Sequence, residues 1–354
     1  MGVARMLRWW WSLLQGVLPD LHGHQLNGLA TASWAMMQAG HCQLSRMAAC
    51  TPGAATVPSS ERRWQRLVAN ARLDVEAVMA AWARWSLAEV GPVTLLLDET
   101  PQANHLRAMK LSRWVRGRAL PLLWRCYRPE ALPTPLEALV LELLAQAADL
   151  LPPGAHPTLL TDRGLSWPVV LDFCVAHGWH YLLRAQAATQ VRFADGRVCS
   201  LADLASRRGQ GWCGRAEVFK KAGWRWVHVV AWWAPQADEP WLLITDLPAT
   251  RQRCRQYRKR MGQEQSFRDE KSHGFHWNDS RIRDPAHASR LLLLMALAMT
   301  WLIYLGRSLI RRGLRRRLER ADRRTLSLFQ LGLRYLHYLM RLPRSPPSGK
   351  SVGR

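Results

Sequence analysis

Two short apolar runs in this chain each stop on an aspartate. Val93-Thr94-Leu95-Leu96-Leu97 leads into Asp98, and Pro157-Thr158-Leu159-Leu160-Thr161 leads into Asp162. An apolar run without polar alternation suits a strand buried on both faces, and such strands lie in the middle of sheets covered by helices. Each aspartate is then delivered to the tip of a central strand. Taken singly, either one would serve equally well as a turn or helix-cap residue.

The segments between and after these runs give the order of elements. Residues 104–110 and 119–127 read as a second and third strand, joined by a turn at Arg116-Gly117. Residues 134–150 are helical, closed by Pro152-Pro153-Gly154. The strand at 156–161 is followed by a helix over 165–177, with Gly178 as its stop, and by a strand at 180–185. Three strands, a helix, a strand and a helix is the order of an RNase H-like α/β fold, a mixed sheet flanked by helices. Residues 186–245 then carry β signals, including an Asp195-Gly196 turn and the run Trp241-Leu242-Leu243-Ile244-Thr245, and read as an inserted β subdomain.

The expected organisation is therefore an all-helical N-terminal domain over 1–88, a first part of the core over 89–185, the β insertion over 186–245, a second part of the core over 246–306, and a basic helical region with a disordered tail over 307–354. Residues 249–272 read as one long helix. On it, Tyr257, Arg260, Glu264 and Lys271 fall at offsets of 0, 3, 7 and 14. At about 100° per residue these project at roughly 0°, −60°, −20° and −40°, so one acid lies within a stripe of cations and a phenol. An ordinary basic surface helix contains the same residue types at similar spacings.

Charge narrows the class of partner. Lys and Arg total 50 against 26 Asp and Glu, a formal net charge of +24. Such an excess implies a polyanion, as does the Arg-rich piece Glu61-Arg62-Arg63-Trp64-Gln65-Arg66-Leu67 in the N-terminal domain. An anionic membrane is the less favoured polyanion: the apolar run over 291–305 is shorter than the roughly 20 residues a spanning helix needs. A buried core helix packing on the sheet is expected there. The seven cysteines, Cys42, Cys50, Cys126, Cys174, Cys199, Cys213 and Cys254, are odd in number and form no C-x-x-C pair, a pattern of reduced thiols in the cytoplasm. The close histidine pairs His177/His180 and His273/His276 have no neighbouring cysteine to complete a zinc set.

The spacing Y-(2)-R-(3)-E-(6)-K, preceded in order by Asp98-Glu99-Thr100 and Asp162-Arg163-Gly164, resembles DDE transposases of the insertion-sequence-four family. The resemblance spans about residues 90–306. It implies that Asp98, Asp162 and Glu264 are the catalytic carboxylates and hold two magnesium or manganese ions. It further implies that Tyr257, Arg260 and Lys271 handle the terminal phosphate and transposon-end DNA, and that Trp241 stacks on a displaced base. The partners so implied are double-stranded DNA, as terminal inverted repeats and target, and a second copy of the chain in a DNA-bound homodimer associated with the nucleoid, without a membrane. A nuclease that cuts without joining and a domesticated DNA-binding protein are the competing readings.

Overall fold

The computed structural model describes residues 3–88, 91–132 and 134–341. The chain divides into two compact units, Met1–Val78 with Arg268–Arg354 and Met79–Phe267. Residues 268–306, expected in the core, thus group with the N-terminal helices. The first unit opens with α1 (Val3–Val17), α2 (Gly23–Ala39), α3 (Leu44–Ala49) and α4 (Val57–Ala69). Thr56 caps α4 by accepting the Ser59 N–H at 3.4 Å, and Trp64 points inward while Arg62, Arg63 and Arg66 remain exposed. A further helix, α5 (Val75–Leu87), runs across the division into the second unit.

The second unit is a single ten-stranded sheet with helices. Its elements are β1 (Thr94–Gln102), β2 (Leu106–Val115), β3 (Arg118–Tyr127), α6 (Leu136–Leu150), β4 (Thr158–Thr161), α7 (Pro168–Ala176), β5 (His180–Arg184), β6 (Gln190–Arg192), β7 (Val198–Ser200), β8 (Gly211–Val218), β9 (Arg225–Trp232) and β10 (Trp241–Thr245). The strands lie in the order β3-β2-β1-β4-β5-β10-β9-β8-β6-β7. The first five positions form the RNase H-like core. An antiparallel meander of β1 to β3 sits beside β4 and β5, which run parallel to β1. The inserted strands are not a separate layer, because β10 pairs antiparallel with β5 and carries β9 and β8 outward from it.

Local sequence explains the key boundaries. β1 is buried from Thr94 through Asp98, as a central strand must be. Pro168, in the first turn of α7, sets its start three residues later than the sequence suggested, and Gly178 takes φ +65 just past its end. The helix expected over 249–272 is shorter and interrupted. It comprises α8 (Gln252–Tyr257), a 3-10 turn at Arg258–Arg260 and α9 (Met261–Glu270).

The first unit is completed by α10 (Pro285–Arg311) and α11 (Leu328–Arg341). Asp284 caps α10 by accepting the His287 N–H at 2.8 Å. The helix is long and apolar enough to cross a membrane, yet 78% of its apolar window is buried inside the protein. Within this unit its neighbours are α2, α4 and α11. Trp301 on α10 meets the rings of Trp9, Trp10 and Trp34 at 6.1, 5.8 and 5.7 Å. α11 falls within the stretch over 307–354 that reads as a basic helical region. The proposed disordered tail after Leu342 lies outside the described residues.

Glycine sets how closely α10 and α11 approach. A Cβ on Gly332 would stand 1.9 Å from the Leu302 carbonyl oxygen, and one on Gly306 would stand 2.0 Å from that of Leu328. Backbone cannot yield as a flexible side chain does. Gly332→Ala is expected to destabilise the protein by about 1–3 kcal/mol or more, as measured by denaturant unfolding. An unchanged midpoint would show that the helices pack differently.

Candidate active site

The register of the sheet brings the first two acids together. Leu97 on β1 is the parallel Cα partner of Thr161 on β4, so Asp98 and Asp162 are the residues that follow the last pair. Parallel neighbours lie about 4.8 Å apart and direct equivalent side chains to one face. β4 ends at Thr161 whereas β1 continues to Gln102, so Asp162 belongs to the turn that leaves the sheet. That turn is self-supporting: Asp162 Oδ1 accepts the Gly164 N–H at 2.9 Å, and its carbonyl accepts from Ser166 Oγ at 2.7 Å. A Cβ on Gly164 would come within 3.3 Å of Asp162 Oδ1, which explains the small residue after Arg163.

Arg260 ties the third acid to the first. Its Nη1 donates to Asp98 Oδ2 at 2.9 Å, and its Nη2 donates to Glu264 Oε1 one turn along the helix. Asp98 is 8% exposed, and its other oxygen accepts the Glu99 N–H at 2.9 Å. Burial, followed by the charges of Asp162 and Glu264, pushes the Asp98 carboxyl up to about 7 against the pull of Arg260. Burial works against the charge on Arg260, but Tyr257, Asp98, Glu264 and Asp162 outweigh it and hold its pKa above the usual value. Asp98 therefore feels both other acids.

The remaining expected residues fall in different places. Tyr257 is 3% exposed, and its hydroxyl, expected at a phosphate, donates to the Thr161 carbonyl at 3.0 Å. It thereby pins the end of β4 beside Asp162, and burial raises its pKa. Trp241 packs edge to face on Tyr257 at 5.4 Å and is half-buried. It also lines a cavity of about 330 Å³ with Trp232, Glu239, Arg251, Arg255 and Arg258. Lys271 lies beyond the end of α9, in a turn whose first carbonyl accepts the His276 N–H at 2.9 Å. The helical projection that grouped it with the other three therefore does not hold for it, and it falls in the first unit.

Glu239 escaped the sequence reading. It precedes β10 and receives Arg163 through two hydrogen bonds of 3.0 and 3.2 Å and Arg184 at 2.7 Å. The hydrogen bond from Arg184, more than any other contact, lowers its pKa. No local motif marks it, because its partners are 76 and 55 positions away in sequence.

The three acids offer hard carboxylate oxygens, the donors preferred by magnesium or manganese. An Asp98 carboxyl held near 7 by burial and like charge, even with Arg260 beside it, needs a further cation to be fully ionised at neutral pH. The donor set thus fits a divalent ion, with Arg260 supplying positive charge between Asp98 and Glu264. Among the described residues, the one set of three ligand groups within 4.8 Å of one another is a different set, His41, His276 and Asp279. There, His41 Nδ1 accepts the Gln43 N–H at 3.0 Å, so the neutral ring carries its proton on Nε2, which faces Asp279. This set is not built as an open ligand group.

Residues 136–301 match the family model of the transposase DDE domain. The match supports a transposase function and takes in Asp162, Trp241, Tyr257, Arg260, Glu264 and Lys271. Asp98 lies ahead of it and is joined to the site by the β1–β4 register and by Arg260. A comparison with curated proteins finds no match.

Tyr257→Phe leaves the buried Thr161 carbonyl without its donor. A loss of about 1 kcal/mol in unfolding free energy is expected, together with slower catalysis, since the strand end that carries Asp162 is loosened. Unchanged stability would show that the hydroxyl does not hold the strand.

Proposed function

We propose that the chain is a DDE transposase of the insertion-sequence-four type, which cleaves transposon ends and joins them to target DNA. The observation that carries this reading is the β1–β4 register, which makes Asp98 and Asp162 the residues that follow the paired Leu97 and Thr161, with Arg260 linking Asp98 to Glu264. Asp98, Asp162 and Glu264 would hold two magnesium or manganese ions, which when bound polarise a phosphate and activate the attacking oxygen. The reaction proposed is hydrolysis at the element's end, which frees a 3′-hydroxyl, followed by attack of that hydroxyl on the opposite strand or on target DNA.

The chain's own residues set the stage for both steps. Asp98 and Asp162 are fixed by backbone, one in a strand and one in an Asx turn, so neither has to be ordered when DNA arrives. Arg260 neutralises two acids that would otherwise repel a phosphate, and its planar fork suits bidentate contact with phosphate as well as with carboxylate. Trp241 stands beside Tyr257 on a cavity rimmed by Arg251, Arg255 and Arg258, where a displaced base would find an aromatic wall. The exposed arginines of α4 and the excess of 24 positive charges supply affinity for duplex DNA. Lys271 would add a further phosphate contact. Work on paired ends implies a homodimer on DNA, acting in the cytoplasm.

Asp98→Ala, Asp162→Ala and Glu264→Ala are each expected to abolish magnesium- or manganese-dependent cleavage of a transposon-end duplex. Binding of the same duplex should persist. Cleavage retained by any one variant removes that residue from the site. A supplied 3′-hydroxyl end should be joined to target DNA; cutting without joining would favour a nuclease. Trp241→Ala is expected to spare first-strand nicking and impair later end processing, so equal losses at both steps would assign it a folding role.

A further inference from the structure

The reverse face of the helix that carries Arg260 and Glu264 holds a second concavity, of about 400 Å³, lined by Trp114, Gly117, Arg255, Arg258, Lys259 and Gly262 among others. Its volume is that of a small-molecule or nucleotide pocket. Trp114, half-buried at the end of β2, forms its aromatic wall. The ring lies close against α9 because position 262 is glycine: a Cβ there would stand 3.0 Å from the Trp114 ring. The Lys259 ammonium lies 5.0 Å over the same ring and donates to Thr94 Oγ1 at 3.1 Å.

Two of these residues also belong to the Trp241 cavity. Arg255 and Arg258 line both concavities, both are exposed, and neither has an acidic partner among the described residues. Elsewhere in the same unit, Arg163, Arg184, Arg192, Arg225 and Arg260 are each paired with a carboxylate. Two aromatic-walled pockets joined by two unpaired guanidinium groups have the composition of a single-strand track, with rings for bases and cations for the phosphates between them. A duplex would not fit, since its bases are stacked on one another and offer no face to Trp114.

We propose that α8 and the start of α9 carry a single-stranded nucleic-acid segment over their exposed ridge. One base sits against Trp241, beside the Trp232 ring that the Arg251 guanidinium covers at 3.7 Å, another sits against Trp114, and the intervening phosphates lie on Arg255 and Arg258. The strand leaves the carboxylates by crossing to the opposite face of their helix. The proposal rests on the transposase reading only for the kind of polymer bound, and it needs neither the acids nor a metal.

The test is fluorescence anisotropy of the full-length chain with a labelled oligothymidylate of about ten nucleotides, in chelator so that carboxylate chemistry plays no part. Trp114→Ala should weaken binding by about 5- to 150-fold, the range measured for losing one base–aromatic stack, and Trp114→Phe should recover most of it. Arg258→Gln should flatten the log–log salt dependence by about 0.7. Should Trp114→Ala fail to fold, as judged by circular dichroism, an abasic oligomer of the same length replaces it. This keeps the phosphates, removes the bases, and should bind the wild-type chain much more weakly. Equal affinity for abasic and normal strands, an unchanged affinity in folded Trp114→Ala, or an equal loss on duplex DNA would each overturn the proposal. Cleavage is a separate readout: a chain that cuts DNA normally yet fails these tests loses the track alone, and one that passes them without cutting keeps it.

Discussion

The parallel pairing of β1 with β4 is the constraint on which the site depends. Side chains at equivalent positions of adjacent parallel strands share a face, and the register Leu97↔Thr161 leaves Asp98 and Asp162 as the next such pair. A slip of one residue would turn one acid to the other side of the sheet. The register is held by burial on both strands: Leu95, Leu96, Leu97, Leu159 and Leu160 are almost wholly enclosed. Hydrophobic packing thus fixes the separation of two charges that would not choose to be adjacent.

Placing those charges there has a cost, and Arg260 offsets part of it. Burial and two neighbouring acids hold Asp98 up near 7, a shift that disfavours its charged form. Arg260 reaches it from a tightened 3-10 turn, where the chain advances about 120° per residue in place of 100°. This turn interrupts what would otherwise be one uniform helix and lets the fork meet Asp98 on one side and Glu264 on the other. Tyr257, at the end of α8, uses its hydroxyl on the β4 terminus and its ring on Trp241. The helix is therefore bound to the sheet through the same residues that make up the site.

Much of this was legible in the sequence, for identifiable reasons. Apolar runs ending on aspartate, a glycine stop at Gly178 and the Arg116-Gly117 turn are local signals, and they placed β1, β3, β4, β5 and α7 to within a few residues. Asp98 and Asp162 could be named for the same reason, whereas Glu264 rested on the Tyr257, Arg260, Glu264 and Lys271 spacing and the family resemblance it carries. What was illegible is non-local. Nothing near β10 says that it pairs with β5, so the later strands read as a separate subdomain instead of one continuous sheet. The break at Arg258–Arg260 and the end of α9 at Glu270 remove Lys271 from a stripe that ideal periodicity had drawn. α11 depends on Gly306 and Gly332 allowing close approach, which spacing alone does not reveal.

The distribution of acids carries information that total charge does not. With 26 acidic residues against 50 basic ones, each carboxylate placed beside an arginine leaves others unmatched. In the sheet unit the acids are committed to particular sites: Asp172 to Arg225, Glu217 to Arg192, and Glu239 to Arg163 and Arg184. Such pairs contribute little stability at a surface, but they remove those arginines as attractors for an outside anion. Arg255 and Arg258 are left unmatched on an exposed ridge between two tryptophan-lined hollows. A surface selected only for solubility would intersperse the two signs; a ridge of Arg251, Arg255 and Arg258 with a single acid, Glu239, in the adjoining hollow suits the path of a polyanion.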